Sequence, residues 1–172
     1  MFVGINGESL RVKGKEGLLE GRLDLLLGYS DRGFVFHGTP KPDIKRFELH
    51  EASDLSGSSF NSDNAIYAVL HPVGAVMFAV MNSTKIPDDL RKGRTWSAGA
   101  RGCKNAVKVE LPRTWQPYLE DQLGYVYVLP NEGYVDDGVW QAKFKTEQIP
   151  VDIIKVQYQD FEALGGTIIY KD

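Results

Sequence analysis

Four places in the chain carry side chains that could do chemistry together: His37-Gly38-Thr39, Tyr67, Phe78 and Glu147. His37 offers a hydrogen-bond donor and an acceptor at neutral pH. Gly38 has no Cβ, so its backbone N–H and C=O could approach the flat edge of a ligand closely. Thr39 completes the polar cluster. The three residues follow Phe34-Val35-Phe36, a short apolar run between Asp31-Arg32-Gly33 and Pro40-Lys41-Pro42, which is the signature of a short buried strand. Strand ends in mixed α/β domains open onto clefts, and we read this one as the floor of a nucleotide site. A capped turn is the plain alternative.

The elements that must position these residues are legible around them. Ala65-Ile66-Tyr67-Ala68-Val69 reads as a second strand, and Leu70-His71-Pro72 opens a helix, since proline is tolerated at the first helical position. Within that helix Val73, Val76, Met77 and Val80 share one face at core spacing. Phe78 does not: it stands about 140° from Val73, on the side of Gly74 four residues earlier, and needs a partner that the stripe does not supply.

The remaining segments fill in the architecture. Residues 1–15 read as a hairpin-like start, and 16–27 as a covering helix with Leu19, Leu23 and Leu26 at helical spacing. Ile44 and Phe47 suggest a helical turn over 40–47, and the Ser, Asp and Asn content of 50–64 suggests a loop. Residues 107–111 and 124–129 read as strands, 133–138 as a turn region, and 140–144 and 149–158 as extended runs. One helical turn is expected over 160–164 and a closing strand over 166–170. Many short strands with few helices predict an α+β domain of two packed sheets with a cleft between them.

Composition narrows the class. The 172 residues suit a single domain, 1–172, with 1–30 as an N-terminal covering segment. Cys103 is the only cysteine, so a disulfide framework and a cysteine metal site are excluded, and no His/Cys/Asp spacing argues for a metal. His50 and His71 read as structural, and serine catalysis has no nucleophile elbow to rest on. The start of the chain lacks a positive region followed by an apolar one, and no apolar run approaches the roughly 20 residues of a membrane span. A cytoplasmic protein with no membrane partner is expected, with delivery by another route left open.

Net charge is −3 but unevenly spread: residues 85–113 carry eight basic and three acidic side chains. The glycine-rich part of this stretch, 85–106, reads as an irregular basic insertion carrying Trp96. A solvated loop is the plain reading. The functional one is a surface, centred on residues 91–104, for a phosphate-bearing acceptor such as RNA or DNA.

In their order and spacing, the strand ending in His37-Gly38-Thr39, the strand with Tyr67, Phe78 eleven residues later and Glu147 near a late strand resemble the ADP-ribosyltransferase superfamily. The resemblance is to its His-Tyr-Glu branch, which includes diphtheria toxin and the poly(ADP-ribose) polymerases. Tyr125-Val126-Tyr127-Val128 followed by Glu132-Gly133-Tyr134-Val135-Asp136-Asp137 is also similar to rifampin ADP-ribosyltransferases. Together these cover roughly residues 30–170. The resemblance implies two mostly antiparallel sheets forming an NAD cleft with flanking helices. It implies NAD as substrate, with His37 on the adenosine ribose, Gly38 on the nicotinamide carboxamide, Thr39 beside them, and Tyr67 and Phe78 sandwiching the nicotinamide ring. Glu147 would stabilise the oxocarbenium-like charge that develops as the nicotinamide–ribose bond breaks. In the rifampin-type branch the acid falls near Asp136-Asp137, which makes Asp137 the second candidate. Lys145 stands two positions before Glu147, where arginine-modifying members place a carboxylate, and this speaks against arginine as acceptor.

The implied activity is mono-ADP-ribosyl transfer to a protein, nucleic acid or small molecule. An NAD glycohydrolase and a catalytically silent binding module are the alternatives. Toxin, defence and resistance roles, and the oligomeric state, stay open.

Overall fold

The computed structural model describes residues 14–51, 60, 63–92, 97–100 and 105–172, with side chains from residue 21 onward. The expected hairpin over 1–15 therefore lies almost wholly outside the described residues, as do Trp96, Arg94, Arg101, Cys103 and Lys104.

The fold is α+β. A helix α1 (Gly14–Asp31) leads into β1 (Val35–Thr39), followed by β2 (His50–Glu51), β3 (Asn64–Val69) and α2 (Pro72–Val80). After a 3-10 turn come α3 (Asp88–Arg91), β4 (Ser97–Ala100), β5 (Val107–Pro112), α4 (Gln116–Leu119) and β6 (Leu123–Leu129). The chain ends with β7 (Tyr134–Asp136), β8 (Gln141–Phe144), β9 (Asp152–Gln157), α5 (Gln159–Ala163) and β10 (Thr167–Lys171). The larger sheet is antiparallel in the order β7-β8-β3-β1-β6-β9, with β2 added to β3. The smaller has the order β10-β5-β4, and its β10–β5 pair is parallel.

Period-two alternation gives the larger sheet two apolar faces. Phe36, Val69, Val126, Val128 and Val156 belong to one core cluster, with the α2 residues Val73, Val76, Met77 and Val80 and with Val107, Val109 and Leu111 of β5. Val35, Ile66, Ala68, Tyr127, Leu129, Ala142 and Phe144 belong to a second cluster, capped by Phe47. The four α2 side chains expected in the core are fully buried, each contributing about 1.5–3 kcal/mol. Helix α2 lies so close to the sheet that a Cβ on Gly38 would overlap the Ala75 backbone, and one on Gly124 would sit 2.7 Å from the Ala79 Cβ. Helix α1 is tied down by Arg22, whose guanidinium donates to both carboxylate oxygens of the fully buried Asp160, each at 3.0 Å.

Four expectations change. Residues 40–47 form no helical turn: Pro40 and Pro42 disfavour helical geometry in the residues before them, Asp43 has φ 60°, and the Tyr127 hydroxyl takes the Ile44 N–H and donates to the Lys41 carbonyl. The expected loop at 50–64 begins with β2, while most of its middle lies outside the described residues. The turn region 133–138 contains β7, flanked by Gly133 and Gly138 at positive φ and paired with β8. The basic insertion 85–106 is not irregular throughout, because α3 and β4 fall inside it; the small residues Ser97-Ala98-Gly99-Ala100 become a strand when β5 supplies the ladder.

Candidate functional site

The strand that carries the polar cluster parts from its neighbour within one residue. On the β6 side β1 pairs along its whole length, from Val35↔Leu129 to Thr39↔Tyr125. On the β3 side its register holds only Phe36↔Val69. Farther along β3, β2 pairs with it, with His50↔Ala65 and Glu51↔Asn64. Between these pairings the sheet is split, with His37, Gly38 and Thr39 on one lip and Tyr67 on the other. The His37 ring spans the split: its Nδ1 is 2.7 Å from the Tyr67 carbonyl oxygen. A carbonyl can only accept, so Nδ1 carries the proton and Nε2 is the acceptor of the neutral ring. Burial pushes the His37 pKa below its usual 6.5, outweighing the Tyr67 hydrogen bond, while nearby His50 lowers it further.

The two faces of the split differ. His37 points to the Phe47 face, its ring centroid 4.7 Å from that of Phe47, which in turn meets Tyr127 edge-on at 5.2 Å. Tyr67 is two residues from Val69 and points to the α2 face. There Lys143 stands directly opposite it on β8, close enough for the pair to touch.

Phe78 has its partner, and it is Trp140 rather than Tyr67. The two rings stack with centroids 6.1 Å apart and planes 19° from parallel. Trp140 lies over Gly74, where a Cβ would come within 3.3 Å of the indole, so the glycine makes room for the ring. Phe78 remains 41% exposed. Tyr67 is engaged elsewhere on that face: its hydroxyl donates to the Asp63 carbonyl at 2.9 Å, and its ring meets His50 edge-on at 6.3 Å. The sandwich expected of Tyr67 and Phe78 is thus replaced by two aromatic groups on the same face of the sheet, Tyr67 on β3 and the Phe78–Trp140 stack against α2.

Gly38 has a structural reason to be glycine, since its missing side chain admits α2. Thr39 Oγ1 accepts the Lys41 N–H at 3.3 Å, a local turn bond. His71 caps α2, its Nδ1 accepting the Val73 N–H.

The two candidate acids sit differently. After β8 the chain crosses the Phe47 face on its way to β9, and Gln148 bridges Phe47 with reciprocal backbone bonds of 2.8 and 3.1 Å. Glu147, the preceding residue, is therefore carried to the Phe47–His37 side of the split, where its Oε2 takes a hydrogen bond from Arg46 at 2.7 Å. Both partners are more than half exposed. The Asp137 Oδ1 accepts the backbone N–H groups of Val139, Trp140 and Gln141, all at 2.9 Å. That carboxylate builds the turn delivering Trp140, and the structure does not bring it to His37.

Trp140, Lys143 and Asp63 were not singled out from the sequence. Lys143 Nζ is 2.6 Å from Asp63 Oδ2, donates to the Phe60 carbonyl at 2.9 Å and lies 4.2 Å from the Phe60 ring centroid. Lys145 reaches the same Asp63 oxygen at 2.6 Å. Their hydrogen bonds, Lys143 first, hold the Asp63 carboxyl at about 2. Within the basic segment Arg91 pairs with Asp88, and Lys108 with Glu110 at 2.9 Å.

Among the described residues no group of three or more His, Cys, Asp or Glu is placed to hold a metal, and no helix is long and apolar enough to cross a membrane. Comparison with protein-family models, with curated proteins and with solved structures finds no match to this chain.

Proposed function

We propose that this chain is a mono-ADP-ribosyltransferase that cleaves the nicotinamide–ribose bond of NAD and passes ADP-ribose to an acceptor. The observation that carries the reading is the split in the sheet at Phe36↔Val69, which leaves the His37-Gly38-Thr39 lip without a ladder partner on β3. A flat carboxamide suits such a lip, because it can donate and accept as a neighbouring strand would. The His37 Nε2 is an acceptor for a ribose hydroxyl. Tyr67 and the Phe78–Trp140 stack provide aromatic surface for the nicotinamide ring, where offset stacking contributes about 0.5–1.5 kcal/mol beyond burial.

In the reaction nicotinamide leaves with the electron pair of the glycosidic bond. Positive charge builds on the ribose anomeric carbon, and a nucleophile of the acceptor bonds to that carbon and loses its proton. Glu147 is the carboxylate for this charge: it stands on the Phe47 side of the split, so the ribose must lie in the opening with its nicotinamide toward the α2 face, and Glu147 must exchange Arg46 for the ribose, a solvent-exposed pair that gives way at little cost. The basic charge that the sequence carries over 91–104 favours a phosphate-bearing acceptor.

The test is incubation with NAD while following nicotinamide release and ADP-ribose on protein, nucleic acid and small-molecule acceptors. Release with a modified acceptor supports transfer, and release without one assigns water as the acceptor. Absence of both NAD binding and release overturns the proposal.

A further inference from the structure

We propose that Lys143 and Lys145 form the phosphate-binding part of the site, receiving the diphosphate of the dinucleotide, with Asp63 holding them in readiness. This rests on the NAD reading above. Lys143 faces Tyr67 across β3 and β8, on the same face of the sheet as the Phe78–Trp140 stack. Through Asp63 its ammonium is tied to the Tyr67 hydroxyl, and a dinucleotide with its nicotinamide on that ring must carry its charged middle nearby.

The charge balance favours an anion. Two ammonium groups converge on one carboxylate oxygen, each at 2.6 Å, so the trio carries one net positive charge. The Lys143 side chain is 11% exposed, which limits screening of its charge by water. Among the described residues, Asp63 and the Phe60 carbonyl engage two of its three N–H donors. Lys145 is half exposed and among the described residues pairs with Asp63, so it can turn toward a phosphate while Lys143 keeps Asp63 neutralised. Asp63 also places Tyr67, whose hydroxyl is bound to its backbone carbonyl, so one residue sets both the ring and the cations.

The experiment is calorimetric titration of the wild-type chain, Lys143→Met and Lys145→Gln with inorganic pyrophosphate, ADP-ribose and nicotinamide at two salt concentrations, with a thermal melt of each. The expected result is pyrophosphate binding to the wild type and a loss of about tenfold or more in ADP-ribose affinity in each variant. The salt dependence of ADP-ribose binding should flatten and nicotinamide binding stay unchanged. Wild-type-like affinity for ADP-ribose or pyrophosphate in both variants overturns the proposal, as does failure of the wild type to bind either. Should Lys143→Met fail to fold, exposed Lys145→Gln decides alone. Failure of the NAD reading is distinct: the wild type then releases no nicotinamide, whatever the lysines do with pyrophosphate.

Discussion

His37 and Tyr67 are joined by a hydrogen bond from the imidazole Nδ1–H to the backbone carbonyl, 2.7 Å long, at the place where β1 and β3 no longer pair. A side chain stands where a ladder bond would otherwise be, so the two lips stay connected without closing. His37→Ala leaves the Tyr67 carbonyl without this partner, at a cost of about 1–3 kcal/mol. The expected outcome is a lower urea midpoint with an unchanged m-value, together with loss of nicotinamide release. A variant of wild-type stability that still releases nicotinamide would remove His37 from both roles.

The same residue makes stability depend on pH. Burial lowers the folded-state pKa of His37 below 6.5, so in the window between that value and 6.5 the unfolded chain binds more protons than the folded one. Stability from this group is full above pH 6.5, declines as pH falls through 6.5, and levels off below the folded pKa. Urea titrations from pH 8 to pH 5 should show this slope in the wild type and a shallower one in His37→Gln.

The strands and the central helix were legible in the sequence because their signals are local. Val73, Val76, Met77 and Val80 announce one buried face, and the odd placement of Phe78 over Gly74 announced a missing ring. Which ring it was depends on Asp137, which turns the chain 63 residues beyond Gly74, and no local pattern encodes that. Lys143 reads as an ordinary strand lysine until β3 places Tyr67 and Asp63 beside it. The irregular course of 40–47 depends on a hydroxyl from β6. The split is a property of three strands together, so the sequence could mark its lip at His37-Gly38-Thr39 but not the opening itself.

Gly38 and Gly124 separate packing from binding. Both lie under α2, at Ala75 and Ala79, and a methyl group at either must push the helix away. Gly38→Ala and Gly124→Ala should each lose about 1–3 kcal/mol or more and several degrees in Tm. Only Gly38→Ala should also weaken NAD binding in the fraction that remains folded. Equal NAD affinity in the two variants would restrict Gly38 to helix packing.

Asp137 is distinguished from a catalytic acid by which atom matters. Its Oδ1 accepts three amide N–H groups, and an amide oxygen can take its place. Asp137→Asn should therefore retain most nicotinamide release, whereas Asp137→Ala loosens the Trp140 turn, red-shifts the indole emission as water reaches the ring, and lowers release. A loss of two orders of magnitude in Asp137→Asn with unchanged fluorescence would instead make the carboxylate itself the acid.

Glu147 gives the opposite pattern. Its ion pair with Arg46 is exposed on both sides, so breaking it should change stability by no more than about 1 kcal/mol. Glu147→Gln keeps the shape and can still contact Arg46, yet it loses the negative charge that the developing ribose cation requires. NAD affinity should stay within a few-fold of the wild type while the rate of nicotinamide release falls by about a hundredfold or more, the scale of removing one well-placed electrostatic group. Arg46→Ala frees the carboxylate and should leave release intact or raise it. If Glu147→Gln releases nicotinamide at the wild-type rate, the charge must come from another residue, and the crossing segment that carries Glu147 past Phe47 is then scaffold alone.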